Sequence, residues 1–288
     1  MPFIQLPTKR IHYTSYAPSN DASPKATLLC MHGLGSSQNF YGPIVPALIA
    51  EGYRVVSFDT TGAGRSPYTY VEQSIESLGE DVIGIIEGLK LGKVVFVGHS
   101  MAGYVHFPSS GTRIAESWLI YIHSIVAAHL PATYPSHISA SIMIGPVRPS
   151  PAAADAFSAR IAKVEKEGME AMANTIPSSA VSSTASPLVK SFIRELLLAQ
   201  DPAGYISNCR VIAGASVPRY EVVKCPVLLV AGDEDKSAPL EGCEVIFEAL
   251  SGSDGKEIVV LEQCGHWQCL EKGEEVAKEI VRWLGRRL

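Results

Sequence analysis

Basic residues are in short supply in this chain: 24 Lys and Arg stand against 29 Asp and Glu, a formal charge of −5 over 288 residues. A nucleic-acid or anionic-membrane surface normally carries the opposite excess, so neither partner is expected and small molecules are. Long apolar runs are lacking as well. The most continuous one, 118–130, is interrupted by His123, Ser124 and His129 and is too short to cross a bilayer at helical rise. Residues 1–5 do not pair a basic region with an apolar one, so no secretory leader is read and a cytoplasmic location is expected. The ending Arg286-Arg287-Leu288 matches a peroxisomal address too weakly to change that. The six cysteines contain no Cys-x-x-Cys pair and read as reduced, mostly buried thiols. Without a His-Glu-x-x-His run or a cysteine cluster, no metal is expected. Oligomeric state is not legible.

What is present is a balanced globular composition, 47% hydrophobic and 18% charged, long enough for one large α/β core. Short β-rich runs at 26–31, 54–58, 93–97, 138–144, 227–231 and 257–261 read as buried strands. They alternate with helical patterns such as 71–91 and 274–284, which predicts a mostly parallel sheet covered on both faces. Residues 4–6 and 11–16 read as an antiparallel hairpin on the sheet's edge. After Gly145 the composition shifts to Pro146, Pro149 and Pro151 followed by serine-bearing helical stretches, and strand character returns near Val222. Three regions follow: a first core part, 1–145, a helical lid, 146–220, and a second core part, 221–288. A lid inserted there would cover the carboxyl ends of the strands, where open α/β sheets bind ligands.

Gly98-His99-Ser100-Met101-Ala102-Gly103 directly follows a strand. Small residues on both sides suit a serine held in a sharp, strained turn that presents its hydroxyl as a nucleophile. Ala102 stands where glycine is usual. His32-Gly33-Leu34-Gly35 ends an earlier strand, and its backbone can approach a developing oxyanion; the amides of Leu34 and Met101 are the candidate donors. The same segment could begin a dinucleotide fingerprint, but Gln38 occupies the third glycine position. A serine nucleophile needs a base oriented by a carboxylate. Downstream, one strand runs into Asp233-Glu234-Asp235 and the next into Gly265-His266-Trp267. Ser100, Asp235 and His266 thus each follow a different strand, with Asp233 as the competing acid. His32 and His99 read as loop supports, the other histidines as surface or packing residues, and the glycine-bearing loop 59–66 as a structural element that shapes the pocket floor.

Together these residues resemble the α/β-hydrolase family: the His32 to Gly35 run, the 59–66 loop, the Ser100 turn, the 232–239 acid loop and Gly265-His266. The resemblance implies an α/β-hydrolase fold and covers nearly the whole chain. Within it, Leu198-Ala199-Gln200-Asp201-Pro202-Ala203-Gly204-Tyr205 with Asn208-Cys209-Arg210 is similar to the lid of 3-oxoadipate enol-lactonases. This implies cofactor-free hydrolysis of a small ester or lactone, with Arg148, Arg210 and Trp267 as candidate substrate contacts. A carbon–carbon bond hydrolase or a cofactor-free perhydrolase would use the same three residues, and a non-catalytic ligand receptor could keep their frame. Residues 104–124 have no counterpart in the family pattern. They are either a loop extending the pocket wall or translated intron sequence.

Overall fold

Successive side chains of a strand point to opposite faces, and the computed structural model, which describes residues 2–18, 23–100, 126–215 and 219–287, packs both faces. The hairpin β1 (Phe3–Gln5) and β2 (Arg10–Tyr16) leads to β3 (Thr27–Met31), a 3₁₀ turn (Gln38–Ile44), α1 (Val45–Ala50), β4 (Arg54–Phe58), α2 (Ile75–Gly88) and β5 (Val94–His99). Next come α3 (Val126–Thr133), β6 (Ile138–Ile144) and a helical stretch of α4 (Pro151–Glu167), α5 (Met169–Ala173), α6 (Ile176–Ser179), α7 (Pro187–Leu198) and α8 (Pro202–Ala213). A 3₁₀ turn at Tyr220–Val222 leads to β7 (Val227–Gly232), α9 (Leu240–Ala249), β8 (Lys256–Leu261), α10 (Gln268–Glu271) and α11 (Gly273–Arg287). Met101 and the extra run 104–124 lie outside the described residues. Among the described residues no helix is long and apolar enough to cross a membrane.

The strands form one sheet in the order β1-β2-β4-β3-β5-β6-β7-β8. The pairs β1/β2 and β2/β4 are antiparallel and every later pair is parallel. This is the expected mostly parallel α/β-hydrolase sheet with a hairpin at its edge. Because β4 flanks β3 on one side and β5 on the other, the strand order reverses there. That reversal leaves a crevice at the carboxyl ends of β3 and β5.

The period of two divides the core between the layers. Leu29, Met31, Val56, Phe58 and Phe96 pack with Ile75, Leu78, Val82 and Ile85 of α2. Leu28, Cys30, Val55, Val95 and Val97 pack with Phe40, Ile44, Ile280 and Trp283 on the other face. One expectation needs correction: β8 is not a buried strand. It is the sheet's outer strand, half-buried along most of its length, and Val260 is 42% exposed. A run of four apolar residues does not reveal that one neighbour is missing.

Three helices between β6 and β7 start the same way, with a capping side chain followed by proline. Ser150 accepts from the Ala153 N–H, Ser186 from that of Val189, and Asp201 from those of Ala203 and Gly204. Proline loses nothing at a first helical position whose N–H has no partner in the helix, and each cap contributes about 1 kcal/mol.

The edge hairpin is fastened by a buried ion pair. Lys9 Nζ donates to Asp81 Oδ2 on α2 (2.7 Å) and to Gln73 Oε1 (3.1 Å). Burial pushes the Asp81 carboxyl up to about 6, against the pull of Lys9. The folded pKa lies above the unfolded value, so the folded state holds this proton more tightly, and the group's contribution to stability is lost as pH rises through about 6. Lys9→Met strands the ionised carboxylate, and a loss of about 3 kcal/mol is expected at pH 7.5. At pH 5, where the carboxyl is largely protonated, the loss should be much smaller. Urea unfolding at both pH values checks this, and equal losses would contradict it.

Candidate active site

Where β5 ends, the chain turns at Ser100 with φ at +53°, a left-handed conformation that non-glycine residues adopt only when the surroundings impose it. The surroundings here are specific. The Ser100 N–H donates to the Ile144 carbonyl of β6 (3.0 Å). On the other side Gly33, just past β3, lies so close that a Cβ there would sit 2.7 Å from His99 Nδ1 and 2.8 Å from Ser100 Cβ. Glycine is needed at 33 for this close approach, whatever its conformation.

The parallel strands β5, β7 and β8 end at one edge of the sheet, and their following loops meet. Ser100 Oγ is 2.7 Å from His266 Nε2, and His266 Nδ1 is 2.7 Å from Asp235 Oδ2. With the Nδ1 proton donated to the carboxylate, Nε2 keeps its lone pair for the Ser100 hydroxyl. All three side chains belong to buried residues. Asp235 is surrounded by donors: the Ser237 and Ala238 N–H groups on Oδ1 (2.8 and 2.7 Å) and Gln268 Nε2 on Oδ2 (3.1 Å), besides the imidazole. Asp233, the competing acid, is exposed and accepts the Cys264 N–H instead (3.1 Å). The arrangement can take a proton from a hydroxyl and hold the resulting imidazolium against a carboxylate.

Two further histidines support the loops. The His99 Nε2–H donates to the His266 carbonyl (2.8 Å), and its ring stacks on Phe40 at 4.1 Å between centroids. Burial holds the His99 imidazole well below the usual histidine range, which keeps it neutral. His32 donates from Nδ1 to the Gly33 carbonyl (2.8 Å) and accepts the Thr60 N–H at Nε2 (3.0 Å), with burial again lowering its pKa.

A cavity of about 740 Å³ opens over this group. Ser100, His266, Leu34 and Trp267 line it with Val147, Phe157 and Ile176, and its charged lining is Arg148, Arg160, Lys236 and Glu241. Among the described residues neither Arg148 nor Lys236 forms an ion pair. Of the candidate substrate contacts, Arg148 and Trp267 are at the cavity and Arg210 is not. Arg210 is exposed on α8, where its ion pairs with Glu72 and Glu165 engage the guanidinium at the surface.

The loop 59–66 does not form the cavity floor either; none of its residues lines the cavity. It is organised around the buried Asp59 carboxylate, which contacts His12 Nδ1 (3.0 Å) and accepts the Gln38 and Arg65 N–H groups (2.8 and 3.0 Å). Gly64, at φ +53°, has no room for a Cβ against that carboxylate. From there the loop reaches the helical stretch through the Asp201 N–H to Gly62 carbonyl bond (2.9 Å). Arg160, Gln268 and Glu271 were not singled out from sequence. The one available signal was the polar pair Gln268 and Glu271 inside the short apolar run after His266.

The model of a family described as "Alpha/beta hydrolase family" matches residues 28–279. The chain is 27% identical to 3-oxoadipate enol-lactonase 2 of Acinetobacter baylyi, over 77% of this chain and 75% of that protein. It is 24% identical to a 2-hydroxy-6-oxononadienedioate/2-hydroxy-6-oxononatrienedioate hydrolase of Paraburkholderia phymatum, over 96% and 91% of the two chains. Among solved structures, an enol-lactonase from Burkholderia xenovorans superposes with a TM-score of 0.82 at 24% identity, covering 99% of this chain and 100% of that one. At such identity the structural likeness speaks for the fold alone.

Proposed function

The chain belongs to the alpha/beta hydrolase family, and from that premise we propose that it is a serine hydrolase cleaving a small carboxylic ester or lactone through an acyl-enzyme on Ser100. The observation that carries this reading is the pair of 2.7 Å contacts linking Ser100, His266 and Asp235 at the cavity. In the proposed reaction His266 Nε2 takes the Ser100 proton as Oγ attacks the ester carbonyl. The negative charge passes to the carbonyl oxygen, for which the Leu34 amide and, by its position after the nucleophile, the Met101 amide are the assigned donors. His266 then gives its proton to the departing alcohol or enol oxygen. Water repeats the sequence on the acyl-enzyme, releasing the acid and returning the proton to Ser100. Asp235 holds the imidazole in the productive tautomer.

Arg148, Arg160 and Lys236 against one Glu241 give the cavity lining an excess of positive charge, which favours a substrate bearing a carboxylate. The enol-lactonase relative and the dioate hydrolase relative are both named for acids of that kind. The second of them, matched over 96% of this chain, favours an alternative reaction with the same three residues, hydrolysis of a carbon–carbon bond beside a ketone. Turnover on a panel of lactones, short-chain aryl esters and vinylogous 1,5-diketones separates the two. Ester or lactone hydrolysis is expected, with an initial burst of one phenol per enzyme from the aryl esters. Turnover of the diketones alone would replace the ester reading, and binding of the panel without turnover would overturn both.

A further inference from the structure

His266 is held through its backbone as well as its ring, and most of that hold comes from two places. Its carbonyl accepts from His99 Nε2 (2.8 Å) and its N–H donates to the Ala180 carbonyl (2.9 Å), which lies beyond the end of α6 in the helical stretch. The residues on either side of it donate to one carboxylate: the Gly265 N–H reaches Glu271 Oε2 (3.1 Å) and the Trp267 N–H reaches Glu271 Oε1 (3.0 Å). The same Oε2 also accepts the Ser182 N–H (2.7 Å). Glu271 therefore joins the histidine loop to the strap that connects α6 with α7. The two segments are in close contact, since a Cβ on Gly265 would lie 2.5 Å from Ser182 N. Glu234 fastens the next residue of the strap, accepting from Ser183 N (2.6 Å) and Ser183 Oγ (2.9 Å).

Resting on the reading of His266 as the base, we propose that Glu271 is a positioning residue that couples the seating of the 180–183 strap to the aim of the imidazole. Three backbone N–H groups converge on one side chain, and a carboxylate suits that place because it has acceptor lone pairs for all of them and no donor to oppose them. If the strap lifts, His266 loses the Ala180 carbonyl directly, and Glu271 loses one of the three backbone N–H groups that fix its carboxylate beside Gly265 and Trp267. Of the contacts His266 makes itself, those left are the Asp235 and Ser100 contacts to its ring and the His99 bond to its carbonyl. Reacting groups tolerate little of this, since a misplacement of about 1 Å costs on the order of 10²-fold in rate.

Glu271→Gln tests the coupling, because the amide keeps the size of the side chain but turns one acceptor into a donor facing a backbone N–H. The enzyme is compared with wild type on an aryl ester, with kcat expressed per active site counted from the burst. A fall of about tenfold or more in kcat per site is expected, with KM changed less than threefold. Faster amide hydrogen exchange is expected in both the 180–183 strap and the histidine loop. A lowered melting temperature with kcat per site within twofold of wild type would make Glu271 a structural residue and overturn the proposal, as would faster exchange confined to one of the two segments. Should the glutamine variant yield no folded protein, Glu271→Asp answers the same question: the carboxylate withdraws by one methylene, and kcat per site must again fall with KM little changed. Absence of a burst in wild type on an aryl ester whose acyl group is slow to hydrolyse would count instead against the acyl-enzyme reading itself.

Discussion

Ser100→Ala is expected to lower kcat on an aryl ester by roughly 10⁶-fold, the size of effect that follows when the nucleophile of such a group is removed. Among the described residues Ser100 supplies the hydroxyl in contact with His266 Nε2, so its removal leaves the imidazole no described substitute to activate. What remains should be the small acceleration that binding and oxyanion donors supply without a nucleophile. The fold should survive. Serine already bears the cost of the left-handed turn at φ +53°, alanine bears the same cost, and the Ser100 N–H bond to Ile144 is a backbone contact. A melting temperature within a few degrees of wild type is therefore expected beside the lost activity. Full activity in this variant would remove the serine mechanism.

Asp235→Asn should cost roughly 10⁴-fold in kcat for a different reason. The Ser237 and Ala238 N–H groups both point at Oδ1, so the asparagine carbonyl takes that place and its NH₂ faces His266 Nδ1. An imidazole that meets a donor at Nδ1 must carry its proton on Nε2, where it can no longer accept from Ser100. The geometry is kept and the tautomer is wrong. The same NH₂ would also face Gln268 Nε2, a clash of donors that a flip of Gln268 relieves, because its Oε1 has no hydrogen-bond partner among the described residues. Asp233→Asn is the informative companion, since Asp233 touches a backbone N–H and not the imidazole. Its kcat should stay within about threefold of wild type, well inside the range of substitutions away from reacting groups. Steady-state kinetics on both variants checks the assignment, and a larger loss at 233 than at 235 would reverse it.

The sheet was legible because apolar β-rich runs separated by helical periods admit few other arrangements. The positions of Ser100, Asp235 and His266 followed from strand ends and chain order, since parallel strands must present their carboxyl ends on one edge. The choice between Asp233 and Asp235 did not, for both belong to one tight turn and two residues separate a solvated acid from a buried one. Arg210 was misplaced for a related reason: a helix at a known place in the chain still has several faces, and the Glu72 and Glu165 partners that draw it outward are distant in sequence. The 59–66 loop carries glycines of the kind that line sites, yet its glycine at 64 makes room for the Asp59 carboxylate. Glu271 was hidden because its partners are backbone amides, which every residue has and no sequence pattern marks.

The central claim, that Ser100 is the atom carrier of a covalent intermediate, is tested most directly by trapping. The enzyme is mixed with an aryl ester that deacylates slowly, quenched in acid during the burst, digested and mapped by mass spectrometry. The account predicts one acyl group per chain, on the peptide and side chain of Ser100, and none in Ser100→Ala. Steady turnover with Ser100 unmodified throughout, or the acyl group carried by another residue and retained in Ser100→Ala, would contradict it.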